Sequence, residues 1–307
     1  MTHVNHAFLL DIAQRTRPDG RFLDFGCGAA ETVRLGVQMG LDVYGTDVFY
    51  NAQTDARPAL ARDGLLHTRV FELTRDFKVP FPDKTFDFIF SNQVMEHVQD
   101  LDGVLQEMTR VLKDDGVILS YFPLQDCLME YHCEIALAHR FRHDSKLGYY
   151  WLLAWRKLGY GAHHKDKTPE QWARDFQEWI HQWCHYRTRS EARDEFTRSG
   201  LSFEPAELDY VHFRLNYNHK DWIYPFFSFW PGLTTFLFTH FGGGAIVTSQ
   251  KVLRRAPVSE PIPEPVSVSL PEMVESGMAV PAHAPMSSVA PMASPDPLSS
   301  AAKSGSH

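Results

Sequence analysis

The segment that most restricts the fold of this chain is an apolar run that leads directly into a glycine-rich turn. Residues 21–30 read RFLDFGCGAA, so a short strand reaches Gly26 and Gly28 and a helical pattern follows. Glycines let the backbone bend sharply and approach a ligand, while the next helix presents free N–H groups at its N-terminus. This order predicts a βα unit that binds a compact ligand, although a simple tight turn has the same pattern.

An acidic residue strengthens the ligand hypothesis. Asp47 ends the second predicted strand, 23 residues after Asp24, where a carboxylate can accept hydrogen bonds from both hydroxyls of a ribose. The turn and Asp47 together indicate a nucleoside-containing ligand without identifying it.

The first half of the chain alternates strands with helices. Apolar residues with helical spacing occupy 29–39 and 101–112, and an N-terminal helix is predicted over 3–17. The predicted strands are 21–25, 42–46, 66–71, 86–91 and 116–122. This alternation is typical of an α/β fold with a mostly parallel sheet covered on both faces.

Residues 124–200 interrupt this rhythm. The segment is helical in pattern and rich in Trp and His, with no strand expected, so it is interpreted as a helical insertion or cap after the fifth strand. Thr168 and Thr188 have the sequence signature of helix N-caps. Strands are predicted again at 208–215 and 245–253, as an antiparallel pair that completes the sheet.

Composition sets the limits of the folded domain, predicted as residues 1–255. Residues 256–307 hold ten of the 19 prolines and no aromatic residue, which predicts a disordered Pro/Ser/Ala-rich tail. The net charge of −8 argues against nucleic acid as a partner. Four cysteines without paired spacing are expected to be free thiols in a reducing, cytoplasmic setting.

One long uncharged stretch covers 222–239. Pro225, Pro231 and Gly232 interrupt it, so a membrane-spanning helix is not expected. The favoured interpretation is a buried irregular segment, and the alternative is a surface at 222–241 that makes peripheral contact with a membrane.

Four segments, in order, resemble the class I methyltransferases that modify small molecules, lipids and glycans. They are 23–28 (LDFGCG), 45–47 (GTD), 79–98 (VPFPDKTFDFIFSNQVMEHV) and 107–116 (EMTRVLKDDG). The resemblance covers roughly residues 20–122. It implies a Rossmann-like sheet of seven strands with the last antiparallel, and S-adenosylmethionine as the cofactor at the carboxyl ends of the first strands.

The same resemblance assigns cofactor-binding positions. Near the methionine portion it places Asp24, Gly26, Cys27 and Gly28; around the ribose and adenine it places Asp47, Val48, Glu72 and Leu73; and after the fourth strand it places Asn92 and Gln93. Ala30 stands where the family has a third glycine.

Catalytic residues are harder to predict because methyl transfer depends mainly on alignment and only sometimes on a base. His97, His132 and Glu130 are the candidates for that base. The alternatives are a structural role for His97 and a solvated polar helix face for 130–134. His181 and His185 have metal-ligand spacing, but two ligands do not make a site, and no metal is expected.

The sequence therefore predicts transfer of a methyl group to a hydroxyl or similar nucleophile of a small molecule, lipid or saccharide. Two alternatives remain, a catalytically silent cofactor-binding scaffold and a nucleotide-dependent oxidoreductase. Tryptophans in the insertion suit a sugar or a flat apolar acceptor, but at helical spacing they also suit a core.

Overall fold

The computed structural model describes residues 2–49, 55–74, 76–163 and 167–252. Its strands are β1 (Arg21–Phe25), β2 (Asp42–Asp47), β3 (Val70–Glu72), β4 (Phe86–Asn92), β5 (Leu112–Phe122), β6 (Met129–Glu130), β7 (Ile135–Ala136), β8 (Glu204–Pro205) and β9 (Ala245–Gln250). Its helices are α1 (Thr2–Thr16), α2 (Glu31–Gln38), α3 (Arg57–Arg62), α4 (Leu101–Val111), α5 (Lys146–Lys157), α6 (Pro169–Trp183), α7 (Arg189–Arg198), α8 (Glu207–Tyr217), α9 (Tyr224–Phe229) and α10 (Pro231–Leu237). The predicted tail at 256–307 lies outside the described residues.

Seven strands form one sheet in the order β3-β2-β1-β4-β5-β9-β8. Strands β1 to β5 pair in parallel, and β9 runs antiparallel to both of its neighbours. The predicted fold class, a seven-stranded and mostly parallel α/β sheet, is confirmed. The inner strands are nearly continuous apolar runs because helices cover both faces of the sheet.

Each face of the sheet has its own core. On one face, α4 and α7 pack with side chains such as Leu105, Met108 and Phe196. On the other face, α1 and α8 contribute side chains such as Phe8 and Tyr210. The insertion adds a third cluster around Trp172, and α5 packs against α6 there.

The prediction of a strand at 208–215 is wrong, because this segment belongs to helix α8. Buried positions fall at Glu207 and Tyr210, which is helical spacing, and the Tyr210 ring packs edge-on against Phe8 of α1 at 4.9 Å. The partner of β9 on that side is instead the two-residue strand β8.

The insertion is mainly helical, as predicted, but it also contains a small hairpin. Strands β6 and β7 pair antiparallel, so the expectation of no strand in 124–200 is wrong. Both predicted N-caps are confirmed. The Thr168 hydroxyl accepts from the Gln171 N–H at 3.2 Å, and Thr188 forms a reciprocal capping box with Glu191.

The uncharged stretch is neither irregular nor buried, which overturns the favoured interpretation. It forms a 3₁₀ turn, the short helices α9 and α10, and a π-helical turn at Phe238–Gly242. Many of its large side chains face outward, with exposed fractions of 77% for Trp222 and 75% for Phe229. In the described part of the chain, no helix is long and apolar enough to cross a membrane.

A buried ion pair fixes α8 relative to α7. The Arg189 guanidinium lies 2.6 Å from a carboxylate oxygen of Glu207, which is fully buried, and it also donates to the Thr239 hydroxyl at 2.9 Å. The Ile246 N–H of β9 donates to the same carboxylate at 3.3 Å. One carboxylate therefore connects α7, α8 and the last strand.

Removal of this guanidinium is expected to destabilise the protein because it leaves a buried, unpaired carboxylate. We predict that Arg189→Met lowers the free energy of unfolding by about 3 kcal/mol in urea denaturation. The control is Arg142→Met, since Arg142 pairs with Asp144 on the surface, with side chains 88% and 74% exposed, and its loss should cost less than about 0.5 kcal/mol. Equal losses in the two variants would contradict the assigned role.

Candidate cofactor and acceptor site

Polar side chains gather at one edge of the sheet, where the parallel strands end. Asp47 is the last residue of β2 and pairs in register with Glu72, the last residue of β3. Asn92 ends β4, and Asp24 lies one residue before the end of β1. Ligands of open α/β sheets bind at the carboxyl ends of the strands, so this edge is the candidate site.

The glycine-rich turn has the backbone that the sequence predicts. Gly26 has φ +79°, and a Cβ atom there would lie 2.3 Å from a methyl carbon of Val94, so only glycine is accommodated. Gly28 has φ +50° and nothing within 4 Å of an added Cβ, which leaves open space beside the turn. Ala30 has the left-handed conformation (φ 62°) that a third glycine would adopt easily, so its methyl group does not prevent this backbone.

Asp47 is held in place by the backbone. One carboxylate oxygen accepts from the Gly28 N–H at 2.7 Å, and the other accepts from the Val48 N–H at 2.7 Å. Asp47 and Val48 are both only half-buried. The oxygen bonded to Val48 also accepts from the Phe49 N–H at 3.3 Å, whereas the oxygen bonded to Gly28 keeps a second lone pair with which Asp47 can accept a hydrogen bond from a ligand.

Asp24 is a buried carboxyl group, only 3% exposed. Burial raises its pKa to about 7, against the lowering effect of a hydrogen bond with Thr32, and the negative charge of Asp47 raises it further. Cys27 is also buried, and burial raises the pKa of its thiol. A cation bound beside Asp24 would therefore favour its ionised form.

The other predicted cofactor residues divide into two pairs. Glu72 is exposed and pairs with Arg57 at 3.2 Å, while Leu73 is buried and its N–H donates to the Asp47 carbonyl at 2.9 Å. Asn92 has a buried side-chain oxygen without a hydrogen-bond partner, an acceptor available to a ligand. Gln93 has φ 58°, and its N–H donates to the Tyr121 carbonyl at 2.8 Å.

The three predicted catalytic residues come together in one buried polar cluster. The rings of His97 and His132 are 5.1 Å apart, and a carboxylate oxygen of Glu130 lies 2.7 Å from His132 Nδ1. Glu130 is 1% exposed and also accepts from the Tyr186 hydroxyl at 2.5 Å and the Cys133 N–H at 2.7 Å. The segment 130–134 therefore belongs to a hairpin that buries Glu130 and Cys133, and it is not a solvated helix face.

The charges in this cluster oppose a role as general base. Burial raises the pKa of Glu130, but its hydrogen bonds outweigh burial and lower the pKa to about 2. Burial lowers the pKa of both histidines, but Cys184 and the neighbouring carboxylates raise it to about 9 for His97 and about 11 for His132. Such histidines are protonated near neutral pH and cannot accept a proton.

The sequence missed Cys184 and Tyr186 as members of this cluster. Cys184 lies between His181 and His185 in the sequence, but it contacts a different histidine from His181. The His181 ring contacts His143 at 5.5 Å, whereas the Cys184 sulfur lies 4.0 Å from His132 Nδ1. Only the fold brings Cys184 and His132 together, because they are far apart in the sequence.

Comparison with known proteins finds matches over the part of the chain that contains β1 to β5. Residues 23–120 match the methyltransferase domain family. The chain is 34% identical over 97 residues to methyltransferase GfsG of Streptomyces halstedii, which covers 31% of this chain and 35% of that protein. It is 31% identical over 106 residues to sterol 24-C-methyltransferase ERG6B of Gibberella zeae, covering 34% and 28%. It is 32% identical over 111 residues to demethylmenaquinone methyltransferase of Bacillus mycoides, covering 34% and 44%. The match thus spans less than half the length of each of these relatives.

Neutralising Asp24 is expected to change how stability depends on pH. The folded protein retains a proton on Asp24 between pH 4 and about 7 that the unfolded chain releases, so its contribution to stability is greatest below pH 4 and is lost as pH rises through about 7. We predict that Asp24→Asn is more stable than the wild type at pH 8, by roughly 1–4 kcal/mol, and similar to it at pH 4. Urea denaturation at the two pH values measures this, and a destabilised variant at pH 8 would contradict it.

Proposed function

The chain carries a class I S-adenosylmethionine-dependent methyltransferase domain, and from this premise we propose that it methylates a nucleophile on an apolar, lipid-like acceptor taken from a membrane surface. The gathering of Asp24, Asp47 and Asn92 at one strand edge supports cofactor binding. The observation that carries the choice of acceptor is the exposed aromatic surface at 222–241.

The residues at the strand edge suit the cofactor chemically. S-adenosylmethionine, when bound, supplies an electrophilic methyl group on a sulfonium and also carries an ammonium group. Asp24 offers a buried carboxyl that a neighbouring cation would ionise, and Asp47 offers a free lone pair for a ribose hydroxyl. Gly28 leaves open space for close approach, and Asn92 offers an unpartnered oxygen.

The proposed membrane-contact surface is uncharged and aromatic. No Asp, Glu, Lys or Arg occurs between positions 222 and 250. Its outward-facing large side chains are Trp222, Phe226, Phe229, Trp230, Leu233, Phe236, Leu237 and Phe241. Contiguous exposed apolar patches mark interaction sites, and Trp and Phe on short helices suit the interfacial region of a bilayer.

The segment that carries this surface packs against the end of β5, beside the candidate site. The ring of Phe238 lies 6.2 Å from that of Tyr121, near the end of β5, and Tyr121 pairs in register with Asn92. The Leu128 N–H, next to the hairpin, donates to the His240 carbonyl at 2.8 Å. An apolar acceptor at this surface would therefore lie close to the strand edge that binds the cofactor.

A saccharide acceptor has less support, because the tryptophans of the insertion are used in its core. Trp172 is fully buried, and its indole N–H donates to the Ala162 carbonyl at 2.8 Å. Trp151 is partly buried and donates to the Ala136 carbonyl at 2.7 Å. Two of the relatives are named for a sterol and for demethylmenaquinone, which are apolar molecules.

Cofactor binding is tested by calorimetric titration of the full chain with S-adenosylmethionine, S-adenosylhomocysteine and NAD. Micromolar binding of the first two is expected, with a loss of more than about tenfold in Asp47→Ala because the ribose acceptor is removed. Asp63→Ala is the control, since Asp63 is a partly exposed carboxylate that pairs with Arg34. Preferential binding of NAD would favour the oxidoreductase alternative, and binding without turnover on any acceptor would favour the silent scaffold.

Membrane contact is tested by sedimentation with vesicles of zwitterionic phosphatidylcholine. Because the surface lacks charge, we predict binding that changes little with salt and that falls roughly 10-fold or more in the double variant Phe226→Ser, Phe229→Ser. The control is Leu147→Ser, Tyr150→Ser on α5, whose side chains are 67% and 61% exposed. Equal loss in both variants, or none in either, would exclude this surface.

The acceptor class is tested separately with cofactor that carries a labelled methyl group. Label transferred to an organic-extractable fraction of a lipid extract supports the proposal, and label transferred only to saccharides contradicts it. Cofactor binding without vesicle binding would remove the membrane proposal and leave the methyltransferase assignment intact.

A further inference from the structure

A buried group of nitrogen and sulfur ligands lies beside the candidate site. One ligand atom each from His97, His132 and Cys184 lies within 4.8 Å of the other two. Cys184 is buried, and the two histidines are largely covered. These residues come from three segments, namely the 3₁₀ turn after β4, the β6–β7 hairpin and the residue that follows α6.

We propose that His97, His132 and Cys184, with Glu96 as the fourth ligand, bind one divalent metal ion of the zinc class. Cysteine, histidine and carboxylate are the ligands of four-coordinate Zn²⁺ sites. The site is distinct from the cofactor residues and independent of the proposed acceptor.

Both histidine rings are held by fixed neighbours. His97 Nδ1 lies 2.8 Å from the carbonyl oxygen of Trp183, and a hydrogen bond from Nδ1–H to that carbonyl would fix the ring and leave Nε2 for the metal. His132 Nδ1 lies 2.7 Å from the Glu130 carboxylate and 4.0 Å from the Cys184 sulfur, so these two residues hold the second ring beside the thiol. Glu130 is itself fixed by the Tyr186 hydroxyl, so the supporting shell is complete.

Glu96 supplies an independent observation. This residue is 1% exposed, yet neither of its carboxylate oxygens has a hydrogen-bond partner. One of them lies 3.9 Å from His97 Nε2, on the side of the ring that Trp183 does not occupy. A buried carboxylate without a hydrogen bond is unfavourable unless a cation lies beside it, and a metal ion bound by His97 would take the place of the ring's proton as that cation.

The surrounding backbone holds the ligands together without an ion. The His185 N–H donates to the Glu96 carbonyl at 2.6 Å, and the Arg187 guanidinium donates to the Met95 and Val98 carbonyls at 3.4 and 3.1 Å. The segment after α6 is therefore fastened to the turn after β4. Four protein ligands form a closed site, which assigns the ion a structural role in fixing the insertion.

Metal content of the purified full chain, measured by elemental mass spectrometry, tests the proposal. One zinc per chain is expected, and Co²⁺ substituted for it should give the visible bands of tetrahedral coordination with a thiolate charge-transfer band. Cys184→Ser and His132→Gln should lose the ion, while Glu130→Gln should weaken affinity by roughly 10–100-fold. Removal of zinc by a chelator should lower the melting temperature by about 5–15 °C.

Two controls separate this site from other thiols and histidines. Cys127→Ser removes a buried cysteine elsewhere in the core, and His181→Gln removes a histidine three residues before Cys184. Both should retain one zinc per chain. If Cys184→Ser does not fold, the wild type still decides, because zinc should protect Cys184 from alkylation. A folded wild type without zinc or cobalt binding, or binding unchanged in Cys184→Ser, would overturn the proposal.

Discussion

Strand β1 pairs in parallel with β2 on one side and with β4 on the other, and the shared edge of the residues proposed to bind the cofactor follows from this pairing. The strands must end at the same edge, so their carboxyl-terminal residues form one line of polar side chains. Apolar residues on both faces of β1 require helices above and below the sheet. The glycine-rich turn leaves the sheet at this same edge, with open space beside Gly28 through which a ligand can approach the backbone.

The residues of the candidate site differ in how they affect the stability of the folded protein. Asp47 and Val48 are positioned by backbone hydrogen bonds and remain accessible, so they impose little strain. Asp24, in contrast, is buried where its charged form is disfavoured. Groups that oppose stability are expected at functional sites, and a cationic ligand offsets this cost only when it is bound.

The insertion places a polar cluster within an aromatic core. Burial of a single carboxylate or histidine charge would destabilise the protein. Here the hydrogen bonds of Glu130 and the proposed metal ion would compensate the buried charges. The same contacts fasten the hairpin and the end of α6 to the turn after β4. The insertion is therefore tied to the sheet next to the edge where the parallel strands end.

Local sequence determined much of this protein. Alternating strands and helices, the glycine turn, Asp47 and the caps at Thr168 and Thr188 depend on backbone conformation and on contacts a few residues apart, so they can be predicted from spacing. Residues 208–215 alternate in a way that suits either a strand or a helix, and the contact of Tyr210 with Phe8 decided for the helix.

Tertiary structure alone decided which surfaces are buried and which distant side chains meet. The stretch at 222–241 has the apolar and aromatic composition of a protein core. It folds into two short helices, and many of its large side chains remain exposed. His97, His132 and Cys184 lie far apart in the sequence and converge only because the insertion folds back over the end of β4. Burial and long-range contact depend on the packing of whole elements, which periodicity within one segment does not encode.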